Sequence, residues 1–73
     1  MYSDNVDRAI IVFKHNLELF PDNANLYDSL GEAYMVKGDY KKSRELYIKA
    51  KTMDPTFANP YEMLKKLDEL ENK

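Results

Sequence analysis

The side chains that most often carry acid–base, nucleophilic or metal chemistry are sparse in this 73-residue chain. His15 is the single histidine and cysteine is absent, so one chain cannot assemble a histidine pair, a thiolate metal site or a Ser-His-Asp triad. The 13 acidic residues fall mostly on polar helix faces, and no glycine-rich phosphate loop accompanies them. We interpret His15 as a polar helix residue and predict a non-enzyme without cofactor or metal.

Composition argues against nucleic acid and membranes as partners. A net charge of -2 gives no long-range attraction to phosphate backbones or anionic lipids. The six Tyr and three Phe could in principle stack bases, but their helical spacing favours a core. No apolar run approaches the roughly 18 residues of a membrane span. The lack of cysteine fits the cytoplasm, with a fragment of an exported protein as the alternative.

Hydrophobic periodicity predicts an all-α chain of about four helices, over residues 5–20, 25–37, 40–52 and 59–71. In the first, Ala9, Phe13, Leu17 and Phe20 share one face, and Pro21 ends the helix. A strand over the apolar residues 10–13 is the alternative that the length of the pattern disfavours. The predicted N-terminal caps come from Ser3, Asp4 or Asn5 for this helix.

The connections between the later helices also carry sequence signals. Gly38 fits the residue after a helix and Asp39 the next N-cap, which predicts a very short turn and an antiparallel hairpin. Asn59-Pro60 predicts an N-cap at Asn59 with proline in the first turn, completed by Glu62. The third helix has a basic outer face that is interpreted as solvated rather than as a docking patch; it comprises Lys41, Lys42, Arg44, Lys49 and Lys51.

A shift of 34 residues superimposes the chain on itself. Phe13 then falls on Tyr47, Pro21 on Pro55, and Tyr27 on Tyr61. This period predicts half a repeat over 1–22, a complete repeat over 23–56 and a further half over 57–73. The complete repeat carries an ordered series of aromatic, small and terminating residues: Tyr27, Leu30, Gly31, Tyr34, Ser43, Tyr47, Ala50 and Pro55.

These residues resemble the motif of the tetratricopeptide repeat (TPR) family. The resemblance implies antiparallel helical hairpins stacked into an α-solenoid. In the last helix the Leu-Gly pair is replaced by Leu64-Lys65, and the second aromatic by Asp68. We therefore interpret this helix as a polar-faced terminal cap.

The resemblance further implies a protein–protein interaction module that binds a peptide or partner protein along a concave helix face. Transferred by position, that face comprises Asn25, Asp28, Glu32, Met35, Glu62 and Lys66. TPR proteins that hold a chaperone's C-terminal carboxylate use basic and amide side chains at such places. Asp28 and Glu32 would repel a carboxylate, which favours a basic or amphipathic segment over that ligand class; ordinary surface carboxylates are the alternative.

Two further hypotheses concern the N-terminal half-repeat and the chain as a whole. Ile10, Ile11 and Val12 spread apolar surface around the first helix, which predicts a self-association face and a homodimer, formed face to face or by helix exchange. The segment 19–32 also resembles the repeat tail of some bacterial serine hydrolases. That likeness implies an accessory segment at the C-terminus of a larger bacterial protein, with catalysis elsewhere.

Overall fold

The computed structural model describes residues 2–72, which form four α-helices and no strand. α1 covers Tyr2–Leu19, α2 Ala24–Lys37, α3 Tyr40–Met53 and α4 Ala58–Glu71. The all-α prediction is confirmed, and the apolar residues 10–13 lie in α1 rather than in a strand. None of these helices is long and apolar enough to cross a bilayer in the part of the chain described.

The start of α1 was misplaced by the cap prediction. The helix already includes Ser3, Asp4 and Asn5, so none of them is its N-cap, and the position before Tyr2 lies outside the described residues. Helix propagation costs little once a nucleus exists, whereas a favourable cap is worth only about 1 kcal/mol. A cap residue therefore does not have to end a helix.

Backbone and side-chain caps define the two turns around α2. The Asn23 carbonyl side-chain oxygen accepts hydrogen bonds from the backbone N–H of Asn25, at 2.9 Å, and of Leu26. At the other end Gly38 has a φ of +94°, which glycine adopts without steric cost. Asp39 then caps α3 by accepting from the Lys42 N–H at 3.2 Å. The predicted short turn between antiparallel helices is confirmed.

The start of α4 differs from the prediction, because Asn59 is not its N-cap. Its N-cap position is Phe57, which makes no side-chain cap, and Asn59 lies inside the first turn. The Asn59 amide instead donates to both carboxylate oxygens of Asp28, at 3.0 and 2.8 Å. A partly buried carboxylate is costly without a donor, and this long-range bond outweighs a local cap.

The core is centred on α2. Leu30, Ala33 and Tyr34 of this helix are buried against Ile10 of α1. The partly buried side chains that complete this cluster are Val6, Phe13, Leu17 and Leu46. On the other side of α2, Tyr47, Ala50 and Leu67 have no exposed surface. The whole is a slab of 37 × 35 × 15 Å.

Helix boundaries repeat with the period found in the sequence. The ends of α1 and α3 (Leu19 and Met53), the starts of α2 and α4 (Ala24 and Ala58), and the ends of α2 and α4 (Lys37 and Glu71) are each 34 positions apart. Equivalent residues of the two halves can therefore be compared directly.

Candidate partner-binding surfaces

The six residues predicted to bind a partner form what we call the α2–α4 face: Asn25, Asp28, Glu32, Met35, Glu62 and Lys66. Those on α2 follow one helical stripe, and the bond from Asn59 to Asp28 joins this stripe to α4. Asp28 and Met35 are half-buried, whereas the other four are exposed. The structure thus places the acidic stripe of α2, half-buried at Asp28 and exposed at Glu32, beside a helix that presents Glu62 and Lys66.

The hydroxyl of Tyr47 interacts electrostatically with the two acids of this face. Tyr47 has no exposed surface, and its hydroxyl oxygen has no hydrogen-bond partner among the described residues. Burial raises the pKa of this phenol strongly, and the carboxylates of Asp28 and Glu32 raise it further. The buried hydroxyl therefore lies within the electrostatic field of both acids. Sequence reasoning missed this residue because Tyr47 was assigned to the core alone.

Intramolecular contacts occupy much of the basic face of α3. Arg44 pairs with Asp68 at 2.8 Å and with Glu71, and these bonds, the one to Glu71 first, raise its pKa. The ammonium groups of Lys49 and Lys51 lie 5.9 and 5.3 Å from the ring centroids of Tyr27 and Tyr61. Of the five cations only the exposed Lys41 and Lys42 have no such contact in the described chain. These contacts support the interpretation of the basic face of α3 as a solvated surface rather than a docking patch.

An apolar depression of about 380 Å³ separates α1 from α2. This α1–α2 groove is lined by Asn5, Val6, Ala9, Phe13, Ser29, Glu32, Ala33 and Val36. Val12 and Val36 are 55% and 59% exposed. The predicted self-association face needs one correction here: Ile10 belongs to the core, because it points toward α2 and is only 6% exposed, while Ile11 is exposed.

A larger open cavity, of about 750 Å³, lies between the two turns at one end of the helices. Residues 19–25 and Met53, Asp54 and Phe57 line it. Phe20 was predicted to share the core face of α1 but is 60% exposed, because α1 ends at Leu19 and the chain turns away before Pro21. His15 is likewise exposed, on the surface of α1.

Comparison with known proteins does not assign this chain to a family. No family model matches this chain, and a search of curated proteins finds none that is significantly similar. A functional proposal must therefore be built on the α2–α4 face, on the α1–α2 groove and on the 34-residue period.

Proposed function

We propose that this chain is a non-catalytic, TPR-like interaction module whose α2–α4 face binds a basic or amphipathic segment of a partner protein. One observation carries the proposal: Asp28 and Glu32 stand one helical turn apart on α2, and both carboxylates raise the pKa of the buried Tyr47 hydroxyl, which has no hydrogen-bond partner among the described residues. Neither acid is paired with a Lys or Arg among the salt bridges of the described chain.

A basic side chain would relieve the repulsion in this arrangement. Two like charges at positions i and i+4 of a helix destabilise it by a few tenths of a kcal/mol. A lysine or arginine between them would replace that repulsion with charge-assisted hydrogen bonds, worth about 1.5–3 kcal/mol at the half-buried Asp28 and about 0–1 kcal/mol at the exposed Glu32. The donor of Asn59 holds Asp28 in place beforehand, so part of the entropic cost of binding is already met.

The neighbouring helix limits how many positive charges the face accepts. Lys66 stands 34 positions after Glu32, so it is the equivalent residue on α4, and it reverses the charge there. A segment with one or two basic residues opposite α2 and an acidic or neutral residue opposite Lys66 fits this pattern. A free carboxylate opposite Asp28 and Glu32 does not.

The proposal is tested by charge reversal at an exposed position of the face. Fluorescence anisotropy would compare peptides with single basic residues against their neutral analogues, on the wild-type chain and on Glu32→Lys. We expect Glu32→Lys to weaken binding of the basic peptides by about tenfold, equivalent to about 1.4 kcal/mol. Glu45→Lys is the matched control, because Glu45 is exposed on α3 and the change in net charge is the same.

The control decides between a site and a general charge effect. Glu45→Lys should change affinity by less than about twofold, since Glu45 is an exposed residue of α3 outside the α2–α4 face and salt screens exposed charges that make no direct contact. Equal weakening by both variants, or binding indifferent to the basic residue, would show that the face is not the binding site.

Self-association is the second candidate, favoured by the exposed apolar side chains of Val12 and Val36 beside the α1–α2 groove. Two copies apposed through these faces would remove that surface from water. Sedimentation velocity over micromolar to millimolar concentrations tests it. A dimer that Val36→Lys dissociates supports this function, whereas a monomer throughout the range contradicts it.

A further inference from the structure

The residues that line the α1–α2 groove have repeat equivalents on α3 and α4. In the second half of the molecule α2 itself lies beside those equivalents. Moved by 34 positions, Val6, Ala9 and Phe13 of α1 become Tyr40, Ser43 and Tyr47 of α3. Ser29, Glu32, Ala33 and Val36 of α2 become Met63, Lys66, Leu67 and Leu70 of α4. α2 packs on the α3 part of this second set, because Ser43 donates to the Gly31 carbonyl and the Tyr47 ring lies against Gly31.

The α1 part of the first set is less covered than its equivalent on α3. Ser43 and Tyr47 have no exposed surface, whereas Ala9 and Phe13 are half-buried; on the α2 side, Ala33 is buried like its equivalent Leu67.

The difference is larger at the margins of the groove. Leu46 packs against the core cluster, but its equivalent Val12 is 55% exposed. Leu70 is half-buried, but its equivalent Val36 is 59% exposed. The groove therefore has the shape and apolar character of a helix-binding surface, and no helix of the described chain covers it.

The way α2 sits on α3 indicates which helix would fit. A Cβ on Gly31 would stand 3.2 Å from three ring atoms of Tyr47, so the helix in contact with that ring needs a glycine there. Phe13 offers the same ring at the equivalent place in the groove.

A polar contact adds a second requirement. Asp28 of α2 accepts from Asn59 of α4, and the repeat equivalent of Asn59 is Asn25, which is exposed on α2 one turn before the groove residue Ser29. A bound helix with an aspartate three residues before its glycine would therefore find a donor in Asn25.

The last helix of a second copy does not meet these requirements. α4 is the repeat equivalent of α2, but Lys65 stands at the position of Gly31, so its side chain would meet the ring of Phe13. Asp68 stands at the position of Tyr34 and is paired with Arg44. Head-to-tail stacking of copies is thus disfavoured at the position where the helix must approach most closely.

We propose that the α1–α2 groove binds an amphipathic helix of another protein with the pattern of α2: an aromatic residue, then aspartate, then leucine and glycine, then a second aromatic. The aromatic and leucine side chains would cover Val12 and Val36, the glycine would face Phe13, and the aspartate would accept from Asn25. This surface shares Asn25 and Glu32 with the α2–α4 face, but Val36, Ala9 and Phe13 belong to the groove alone and distinguish the two.

The probe is a capped synthetic peptide with the sequence of residues 24–37, titrated into the ¹⁵N-labelled full chain and followed by NMR. We expect shift changes concentrated at Ala9, Phe13 and Val36. Val36→Lys in the chain, and leucine in place of the glycine in the peptide, should each weaken binding by at least about tenfold. Ile48→Lys is the matched control, because Ile48 is an exposed apolar residue of α3 that does not line the groove; it should leave affinity within about twofold.

A double-mutant cycle tests the polar contact: Asn25→Ala in the chain and Asp→Ala at the peptide's aspartate should be non-additive. Three results would overturn the proposal. The peptide could perturb Ser43 and Tyr47 instead, which would mean that it displaces the chain's own α2. It could bind Ile48→Lys and Val36→Lys with equally reduced affinity. Alternatively, the chain without peptide could form a dimer that Val36→Lys dissociates, which would make a second copy the occupant, whether or not the peptide competes with it.

Discussion

The hydroxyl of Ser43 donates a hydrogen bond of 2.7 Å to the backbone carbonyl of Gly31, and both residues are buried where α3 crosses α2. The small side chain of Ser43 and the absence of one at Gly31 let the two helices approach closely there. Tyr47, one turn further along α3, then packs its ring on the bare backbone of Gly31.

Ser43→Ala should lower the free energy of unfolding by about 1 kcal/mol, the usual net value of a buried hydrogen bond, with little change in packing. Urea denaturation followed by circular dichroism measures it. Thr52→Ala is the control, because the Thr52 hydroxyl donates to the Ile48 carbonyl within α3 at an exposed position and should contribute less than about 0.5 kcal/mol. Equal losses in the free energy of unfolding for the two variants would show that the bond between α3 and α2 contributes no more than a bond within one helix.

Alanine should be unfavourable at both glycines, for different reasons. At Gly31 the new Cβ would stand 3.2 Å from the Tyr47 ring, which is fully buried and cannot move aside. We expect a net loss of about 1 kcal/mol even though alanine is intrinsically the better helix former. At Gly38 nothing lies within 4 Å, but the φ of +94° would strain an alanine by about 1–2 kcal/mol. Only Gly31→Ala should also alter the tyrosine near-ultraviolet signal.

Tyr47→Phe should stabilise the chain near pH 7. The substitution removes a buried hydroxyl that has no partner among the described residues, and such a group costs about 1–3 kcal/mol. The repeat equivalent is already Phe13, so the smaller group is compatible with this position. We expect a gain of about 1 kcal/mol in thermal or urea unfolding. A loss would show that the hydroxyl has a stabilising partner, such as a bound water molecule.

The same variant should flatten the alkaline limb of the stability curve. Burial raises the pKa of Tyr47 above its ordinary value of 10.0, so the folded chain keeps a proton that the unfolded chain releases. The contribution of this proton to the free energy of unfolding is therefore fully present below about pH 10 and is lost as the pH rises beyond it. Lys37, whose pKa is raised by its bond to Asp7, loses its contribution in a similar range, so Tyr47→Phe should remove only part of the slope. Unfolding midpoints between pH 8 and 11 measure this; parallel curves for the two proteins would contradict it.

Asn59→Ala should destabilise the contact between α2 and α4. It removes both bonds to the half-buried carboxylate of Asp28, and bonds to a charged group are worth about 1.5–3 kcal/mol. Because the face is partly exposed, we expect the lower end of that range. Asn59→Asp should cost more, since it places two carboxylates together. If Asn59 acted only as a helix cap, aspartate would be tolerated as well as asparagine.

Local rules were sufficient to predict most of the fold. The turn at Gly38 and Asp39 could be read from the sequence because the left-handed φ and the N-cap each depend on a single residue type. The end of α1 could be predicted from Pro21 alone, because a proline disfavours the helical conformation in the residue before it. The 34-residue period then related the halves to each other.

Contacts between distant residues could not be predicted in the same way. Asn59 reads as a cap until its partner 31 residues earlier is known. The assignment of Ile10 to a surface failed because the position of α2 decides which side of a broadly apolar helix is buried. The pairs formed by Arg44 have the same origin, since Asp68 and Glu71 reach it only after α4 has docked.

The 15 Å thickness of the slab has a consequence for local unfolding. A layer of this depth is little more than one helix diameter, so most residues lie close to solvent on one broad side or the other. Only amides whose helix has neighbours on both flanks need global unfolding to exchange with water. Deuterium exchange should therefore be slowest in the middle of α2 and α3 and fastest in α1 and α4, which each have one flank open. The central helical pair would then be the last part of the molecule to lose its structure.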